Sequence, residues 1–197
     1  LNQASQYGLA LALGSGEVSL LDLTYTYNVF NNGGYMVGMP VHKDEETPGF
    51  RTLNPVAILR IEDANGTVLW QYSDETATFQ RRLILEPALA YIMTDILADN
   101  EARTPAFGPN NPLELSRPAA VKTGTSNDNR DSWTVGYTPQ IVTGVWMGNN
   151  NNHSMNDVTG ENGAAPVWHA IMEYIHTRDS LPPQEWTRPP TVVDHVV

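Results

Sequence analysis

The sequence predicts an α+β fold in which an antiparallel sheet is packed against helices. Three strand-like segments, residues 119–126, 132–138 and 140–147, follow one another with short links, and short links require antiparallel neighbours. One amphipathic segment precedes these strands and another follows them, without the regular strand–helix alternation of a wound α/β fold. We therefore expect helices that pack on the faces of an antiparallel sheet.

The N-terminal part predicts one helix and one hairpin. Ser19 begins a capping box, in which its hydroxyl satisfies a first-turn amide of a helix predicted over residues 20–32. Farther along, two apolar runs, 56–59 and 67–70, lie on either side of the turn sequence 63–66, Asp-Ala-Asn-Gly. Such a turn between two apolar runs predicts a β-hairpin.

Two further helices are predicted from apolar periodicity. Pro87 suits the first turn of a helix that runs to about residue 99, and a second helix is predicted over residues 164–177. The apolar face of the first is expected to contain Leu89, Ile92, Met93, Ile96 and Leu97. The inward face of the second is expected to contain Val167, Trp168, Ile171, Met172 and Ile175.

The remaining segments are predicted to be loops. Residues 100–118 are rich in Pro and Asn, and residues 149–163 are polar, so neither is expected to form a regular element, and both could border a cleft. Residues 181–190 are rich in proline and suggest an exit toward a linker. The predicted organisation is one domain over residues 1–180, followed by an exit segment over residues 181–197.

Composition excludes several classes of function. The 197 residues include 11 Lys+Arg and 22 Asp+Glu, for a net charge of −11, which argues against binding of DNA or RNA. Cysteine is absent, so thiolate nucleophiles and cysteine-based metal sites are excluded, and the five histidines form no metal-binding spacing. No run of about 18 apolar residues is present in the sequence. We expect neither a cofactor nor a metal.

Lys122 is the most unusual residue of the predicted sheet, because it lies inside a strand, as Val121-Lys122-Thr123-Gly124-Thr125. The spacing before it does not fit a phosphate-binding loop. A strand edge with one cation, two hydroxyls and free N–H groups suits a carboxylate-bearing peptide that adds to the sheet. A lysine on an edge strand can instead serve only to prevent aggregation, and both interpretations stay open on composition alone.

The sequence Lys122-Thr123-Gly124 resembles the K-T-G motif of the penicillin-binding transpeptidases, whose other signatures are S-x-x-K and S-D-N. The similarity is closest to the bifunctional class A members. It extends over further segments, which are residues 12–23, 30–34, 127–139, 143–146 and 164–168. However, S-x-x-K occurs nowhere in the sequence. The resemblance therefore implies the C-terminal part of a β-lactamase/transpeptidase-like domain, with the nucleophilic serine upstream of residue 1.

The resemblance also implies roles for individual residues. Lys122 and the backbone N–H of Thr125, as an oxyanion donor, are the catalytic candidates, while Thr123, Gly124 and Thr125 are the substrate-binding candidates. Arg130 and Asp131 are expected to order the turn between strands, and Trp133 is expected to be a packing residue, with substrate contact as the alternative for all three.

The function implied is peptidoglycan D,D-transpeptidation by a serine enzyme that also carries a glycosyltransferase. Its partners are stem peptides that end in D-Ala-D-Ala and β-lactam antibiotics, and its location is the extracytoplasmic face of the bacterial cell membrane, where a segment outside this chain anchors it. This chain alone is expected to be inactive. Two alternatives are a D,D-carboxypeptidase or serine β-lactamase, and a noncatalytic module with the same fold.

Overall fold

The computed structural model describes residues 14, 16–72 and 80–195. These residues form two compact units. The first contains Tyr35–Ile84 with the described residues up to Val18, and the second contains Ser19–Gly34 and the chain from Leu85 to residue 195. Residues 12, 13 and 15, which contribute to the resemblance noted above, lie outside the described residues. The boundary expected at residue 180 stays a prediction.

Helices and strands occur in both halves of the described chain. The helices are α1 (Leu20–Asn31), α2 (Pro87–Ala98), α3 (Asn100–Phe107) and α4 (Ala165–Arg178). The strands are β1 (Tyr35–Pro40), β2 (Leu53–Asn54), β3 (Arg60–Glu62), β4 (Val68–Gln71), β5 (Gln80–Leu83), β6 (Ala120–Thr125), β7 (Asp131–Tyr137) and β8 (Val142–Gly148). Shorter turns are the 3₁₀ segments Lys43–Glu45 and Asn127–Asn129 and the π-turn Gly160–Ala164.

The first unit contains two small antiparallel sheets, with strand orders β2-β1-β5 and β3-β4. The predicted hairpin is the pair β3–β4, but its first strand begins at Arg60 instead of residue 56. The turn explains the difference, because Asp63 Oδ1 accepts the N–H groups of Asn65 and Thr67 at 2.8 and 2.9 Å. This tight turn pairs β4 with the residues directly before it, whatever their polarity.

The second unit is built on the antiparallel sheet β6-β7-β8, in which consecutive strands are neighbours. The prediction of three consecutive antiparallel strands is therefore confirmed. Lys122 lies opposite Val135 on β7, and Val135 lies opposite Gly144 on β8. Side chains alternate between the two faces of the sheet, so Ala120 and Lys122 share one face and Val121 and Thr123 share the other.

Each face of this sheet is covered by helices. Ala120 and Tyr137 form a buried cluster with Leu97 of α2, against which Tyr27 and Phe30 of α1 pack. On the opposite face, Val121 packs in a cluster whose other buried members are Leu113, Ala119, Ala165, Trp168 and Met172, the last three from α4. The sheet is thus the middle of three layers, and β6 lies at one edge of it.

The predicted inward faces of two helices were correct only in part. In α2, Leu97 is buried as predicted, but Leu89, Ile92, Met93 and Ile96 are exposed, and Ala90 and Thr94 complete the buried stripe. In α4, Trp168 and Met172 are buried as predicted, but Val167 and Ile171 are exposed, and Ala165 and His176 complete the buried stripe. Apolar residues surround much of each helix, so periodicity alone does not select the face. Small residues such as Ala90 and Ala165 mark it, because they allow close approach of the sheet.

Two segments expected to be loops contain helical structure. Residues 100–107 form α3, which Asp99 caps by accepting the Ala102 N–H at 2.8 Å and which ends at Gly108. The density of Pro and Asn favoured a loop, but the Asp99 cap outweighs it. In residues 149–163, the π-turn Gly160–Ala164 leads directly into α4.

The proline-rich segment after Leu181 has no helix or strand, and it packs on the second unit. Trp186 contacts the Tyr137 ring edge-to-face, with centroids 5.6 Å apart. Its indole N–H donates to Asn31 Oδ1 at 2.9 Å. None of the described helices has the length and the hydrophobicity that a membrane span requires.

Candidate active site

The backbone at the edge of β6 offers hydrogen-bonding groups to a ligand. The Ser126 N–H donates to Asp131 O at 3.0 Å, which fixes the alternation of the antiparallel ladder. Residues 122, 124 and 126 therefore bond to β7, and Thr123 and Thr125 direct their N–H and C=O groups away from it. In the described part of the chain, no further strand pairs with this edge. An extended peptide could add here as a strand.

The side chain of Lys122 brings a positive charge to the same edge. Lys122 is exposed, and its ammonium donates to Thr123 O at 2.7 Å, one of the carbonyl groups that face outward. No described carboxylate forms an ion pair with it. In a chain of net charge −11, an ammonium without an ion-pair partner at an open strand edge is placed to meet an anion.

Thr125 lies three residues beyond Lys122, and its hydroxyl is held by the π-turn. The main-chain N–H of Gly160 donates to Thr125 Oγ1 at 2.8 Å. The Thr125 hydroxyl proton remains available, because no described group accepts it. Thr125 thus presents a backbone N–H at the edge and a hydroxyl on the face that packs against the π-turn.

The predicted site residues are brought together on one strand but on two faces. Lys122 and Gly124 share the face of α1 and α2, whereas Thr123 and Thr125 share the face of α4. The ammonium and the two hydroxyls therefore reach a common ligand only around the edge of β6. A Cβ at Gly124 would meet Trp133 Cβ at 3.5 Å, an ordinary contact, so the described chain leaves open space beside Gly124.

The link between β6 and β7 is rigid at the end nearest Thr125. Ser126 Oγ accepts the Asp131 N–H and donates to Asp131 Oδ2, both at 2.8 Å. The Trp146 indole donates to Asp131 Oδ1 at 2.9 Å, and the Trp133 and Trp146 rings lie 6.4 Å apart. Asp131 therefore orders the turn and Trp133 packs, as the sequence predicted. Arg130 forms an exposed 3.4 Å ion pair with Asp128.

The sequence interpretation missed the residues that support Thr125 from the π-turn. Ser132 is fully buried and donates to Thr159 O at 2.7 Å, while it accepts the Ala164 N–H at 3.0 Å. Asn162 Oδ1 accepts the Thr159 N–H at 2.7 Å, which completes a capping box at the start of the turn. The Thr-x-x-Asn spacing directly before Ala164 was the available signal. The polar composition of residues 149–163 instead predicts a single loop and conceals this cap.

No group of His, Asp and Glu among the described residues is arranged to hold a metal ion. The functional groups described at this edge are the Lys122 ammonium, two threonine hydroxyls and the edge N–H groups of Thr123 and Thr125. Groups of these types can donate hydrogen bonds to a negative charge, and none of them is an activated nucleophile. A covalent reaction at this edge needs a nucleophile from elsewhere.

Comparison with curated proteins shows relatives that are much longer than this chain. No family model matches. The chain is 35% identical over 168 residues to penicillin-binding protein 1A of Neisseria meningitidis serogroup A, and the alignment covers 84% of this chain and 19% of that protein. It is 31% identical over 185 residues to penicillin-binding protein 1A of Aquifex aeolicus, and this alignment covers 92% of the chain and 22% of that protein. The chain therefore spans about a fifth of the length of the curated relatives it matches.

Solved structures share the fold. Penicillin-binding protein 1A from Haemophilus influenzae superposes with a TM-score of 0.69 at 20% identity, over 97% of this chain and 31% of that one. PonA1 from Mycobacterium tuberculosis in complex with penicillin V superposes with a TM-score of 0.64 at 21% identity, over 91% of this chain and 43% of that one. The prediction of an α+β, transpeptidase-like fold that is present only in part is confirmed.

Proposed function

This chain is a relative of the class A penicillin-binding proteins, and we propose that it carries the K-T-G wall of a serine D,D-transpeptidase active site. The observation that supports the proposal most directly is the edge of β6, where Lys122 Nζ lies 2.7 Å from an outward carbonyl and no strand of the described residues pairs with the Thr125 N–H. The partners are stem peptides that end in D-Ala-D-Ala, and β-lactams as their mimics.

The reaction needs a nucleophile that the sequence lacks. A serine attacks the penultimate D-Ala carbonyl, an ester to the enzyme forms, and the terminal D-Ala leaves with a proton on its amine. An amine of a neighbouring peptide then attacks the ester, which forms the new amide and releases the serine. We place this serine and its lysine in an S-x-x-K segment upstream of residue 1, since the sequence contains no such motif.

We assign a part in this reaction to four residues of β6, which are Lys122, Thr123, Gly124 and Thr125. The Thr125 N–H donates to the oxyanion that develops on the attacked carbonyl, together with the N–H of the serine itself. Lys122 attracts the terminal carboxylate and favours proton transfer near the serine. The hydroxyls of Thr123 and Thr125 donate to the same carboxylate, and the space beside Gly124 accommodates the peptide backbone.

Two other functions use the same fold. A D,D-carboxypeptidase or serine β-lactamase transfers the acyl group to water instead of an amine. A noncatalytic module keeps the ligand edge without a nucleophile. This sequence contains no S-x-x-K, and the noncatalytic alternative is favoured if the rest of the longer protein lacks that motif too. For the transpeptidase, the location we propose is the extracytoplasmic face of the bacterial membrane.

The test is acylation by a labelled penicillin, measured by intact-protein mass spectrometry. The longer protein that contains this chain is expected to form one acyl adduct per molecule, and this chain alone is expected to form none. If the longer protein forms no adduct, the noncatalytic module is correct. If this chain alone is acylated stoichiometrically, the nucleophile lies within it and our assignment is wrong.

A further inference from the structure

We infer that Ser132 is a positioning residue which, through the π-turn and the N–H of Gly160, sets the Thr125 hydroxyl as a hydrogen-bond donor to the ligand. The inference rests on the proposed function, because it assigns the specificity of the same ligand edge. Ser132 itself is fully buried on the α4 face of β7 and has no exposed surface to meet a ligand.

The hydrogen bond from Gly160 decides how the Thr125 hydroxyl can act. A threonine hydroxyl has one proton to donate and two acceptor positions. The Gly160 N–H occupies one acceptor position at 2.8 Å, and no described group accepts the proton. A hydroxyl that accepts one bond becomes a stronger donor in the next, so Thr125 favours an acceptor such as a carboxylate oxygen.

The π-turn is fixed directly against the strand. A Cβ at Gly160 would lie 2.8 Å from Thr123 Cβ and 2.9 Å from Gly124 O, so any larger residue displaces the turn from β6. Thr134 Oγ1 lies 2.9 Å from Trp133 O and 3.2 Å from Gly160 O, so the turn also lies close to β7. The position of the Gly160 N–H is therefore set by close packing against β6 and β7, not by the flexibility of an exposed loop.

Ser132 holds both ends of the turn. Its hydroxyl donates to Thr159 O at 2.7 Å and accepts the Ala164 N–H at 3.0 Å, which are the residues at the start and the end of the π-turn. Removal of this hydroxyl takes away the acceptor of the buried Ala164 N–H, while Thr159 O keeps only the N–H of Gly163 at 3.0 Å. The turn is expected to relax away from β6, because a buried N–H without an acceptor is unfavourable. Thr125 then loses its bond to Gly160 and rotates freely.

The test is a double-mutant cycle on the acylation rate of the longer protein that contains this chain. Ser132→Ala and Thr125→Val are each expected to slow acylation by benzylpenicillin by about tenfold. If Ser132 acts through Thr125, the double variant acylates within about twofold of Thr125→Val alone. Multiplicative losses, about 100-fold in the double variant, would show that Ser132 acts independently of Thr125 and overturn the inference.

Two further variants separate positioning from folding. Thr94→Val also removes a buried hydroxyl, but on the opposite face of the sheet, so it is expected to lower the melting temperature and leave acylation within threefold of wild type. If Ser132→Ala fails to fold, the exposed Asn162→Ala, which frees the Thr159 N–H, replaces it in the cycle. If the losses of acylation rate in Asn162→Ala and Thr125→Val multiply in the double variant, the inference is contradicted in the same way.

Failure of the proposed function is distinguishable from failure of this inference. If the wild-type longer protein is not acylated at all, the proposed function is wrong. Amide hydrogen exchange of Gly160 in the same protein then tests the hydrogen bond by itself. Exchange is expected to be at least about tenfold faster in both Ser132→Ala and Thr125→Val than in wild type. Unchanged exchange in Ser132→Ala would overturn the inference whatever the enzyme does.

Discussion

The hydroxyl oxygens of Tyr137 and Thr94 lie 2.9 Å apart in the interior, between the middle strand β7 and helix α2. Thr94 Oγ1 also lies 3.0 Å from Ala90 O, so Thr94 donates to that carbonyl and Tyr137 donates to Thr94. Both residues are almost fully buried. The pair joins α2 to the sheet on the face that also carries Lys122.

Tyr137→Phe is expected to lower the free energy of unfolding by about 1–2 kcal/mol, because it leaves a buried Thr94 oxygen without its donor. Urea unfolding followed by circular dichroism measures this. Tyr174→Phe is the matched control, since Tyr174 is 63% exposed, and it is expected to change stability by less than about 0.5 kcal/mol. Equal effects of the two variants would contradict the importance of the buried pair.

The same tyrosine makes stability fall at alkaline pH. Burial raises the pKa of Tyr137 from 10.0 to about 12, because the folded interior disfavours the phenolate. The neutral phenol therefore stabilises the folded state fully below pH 10, and this stabilisation is lost as pH rises from about 10 to 12. The difference between 10.0 and about 12 in the pKa of Tyr137 corresponds to a loss of about 2–3 kcal/mol in the free energy of unfolding.

Urea unfolding at pH 8.5, 10 and 11.5 measures this loss. Tyr137→Phe is expected to show a smaller decline than wild type over that range. Burial also raises the pKa of Tyr27, so some decline is expected to persist in the variant. A variant whose stability declines as steeply as that of wild type would place the alkaline transition at other groups.

Two glycines on the same face of the sheet are expected to differ in their tolerance of alanine. A Cβ at Gly144 would overlap the hydroxyl of Thr24 and lie 3.0 Å from Leu20 Cδ1, so Gly144→Ala displaces α1 from the sheet. Gly124→Ala makes only a 3.5 Å contact with Trp133 and is expected to fold normally.

Thermal melts and acylation rates separate the two variants. Gly144→Ala is expected to lower the melting temperature by several degrees, as overpacking costs about 1–3 kcal/mol. Gly124→Ala is expected to keep the melting temperature of wild type and to slow acylation in the longer protein, because its methyl group occupies ligand space. If Gly124→Ala is acylated at the wild-type rate, the ligand does not occupy the space beside Gly124.

Trp186 is expected to contribute to stability although it lies in the proline-rich segment. Trp186→Ala removes the edge-to-face contact with Tyr137 and the bond to Asn31, with an expected loss of about 2 kcal/mol. Val193→Ala is the control, because Val193 is 76% exposed. Equal unfolding midpoints of the two variants in urea would show that the segment is only loosely attached.

The sequence predicted the sheet of the second unit because its strands are local features. Residues 120–125, 131–137 and 142–148 are separated by links too short for anything except antiparallel pairing, and the Ser19 cap marks the start of α1. These features depend on neighbouring residues and therefore appear in a single sequence.

What the sequence did not predict depends on distant contacts. In α2, the sheet selects Ala90 and Thr94 to be buried beside the predicted Leu97, while four larger apolar residues of that helix stay exposed. Likewise, the Gly160–Thr125 bond joins positions 35 residues apart, and no local pattern connects them. The position of Lys122 inside a strand was predicted from its neighbours, whereas the hydrogen bonds of Ser132 to Thr159 and Ala164 join positions about 30 residues apart.

The most direct test of the central claim is the acylation rate of Lys122→Ala in the longer protein that contains this chain, measured by stopped flow with a penicillin. A cation beside the incoming carboxylate is expected to contribute roughly 2–4 kcal/mol to the transition state. Lys122→Ala should therefore acylate about 30- to 1,000-fold more slowly, and Lys122→Arg should lose less. Lys43→Ala is the control, because Lys43 lies in an exposed turn of the first unit. An acylation rate of Lys122→Ala within about threefold of wild type, with normal thermal melts, would contradict the assignment of this edge as the active-site wall.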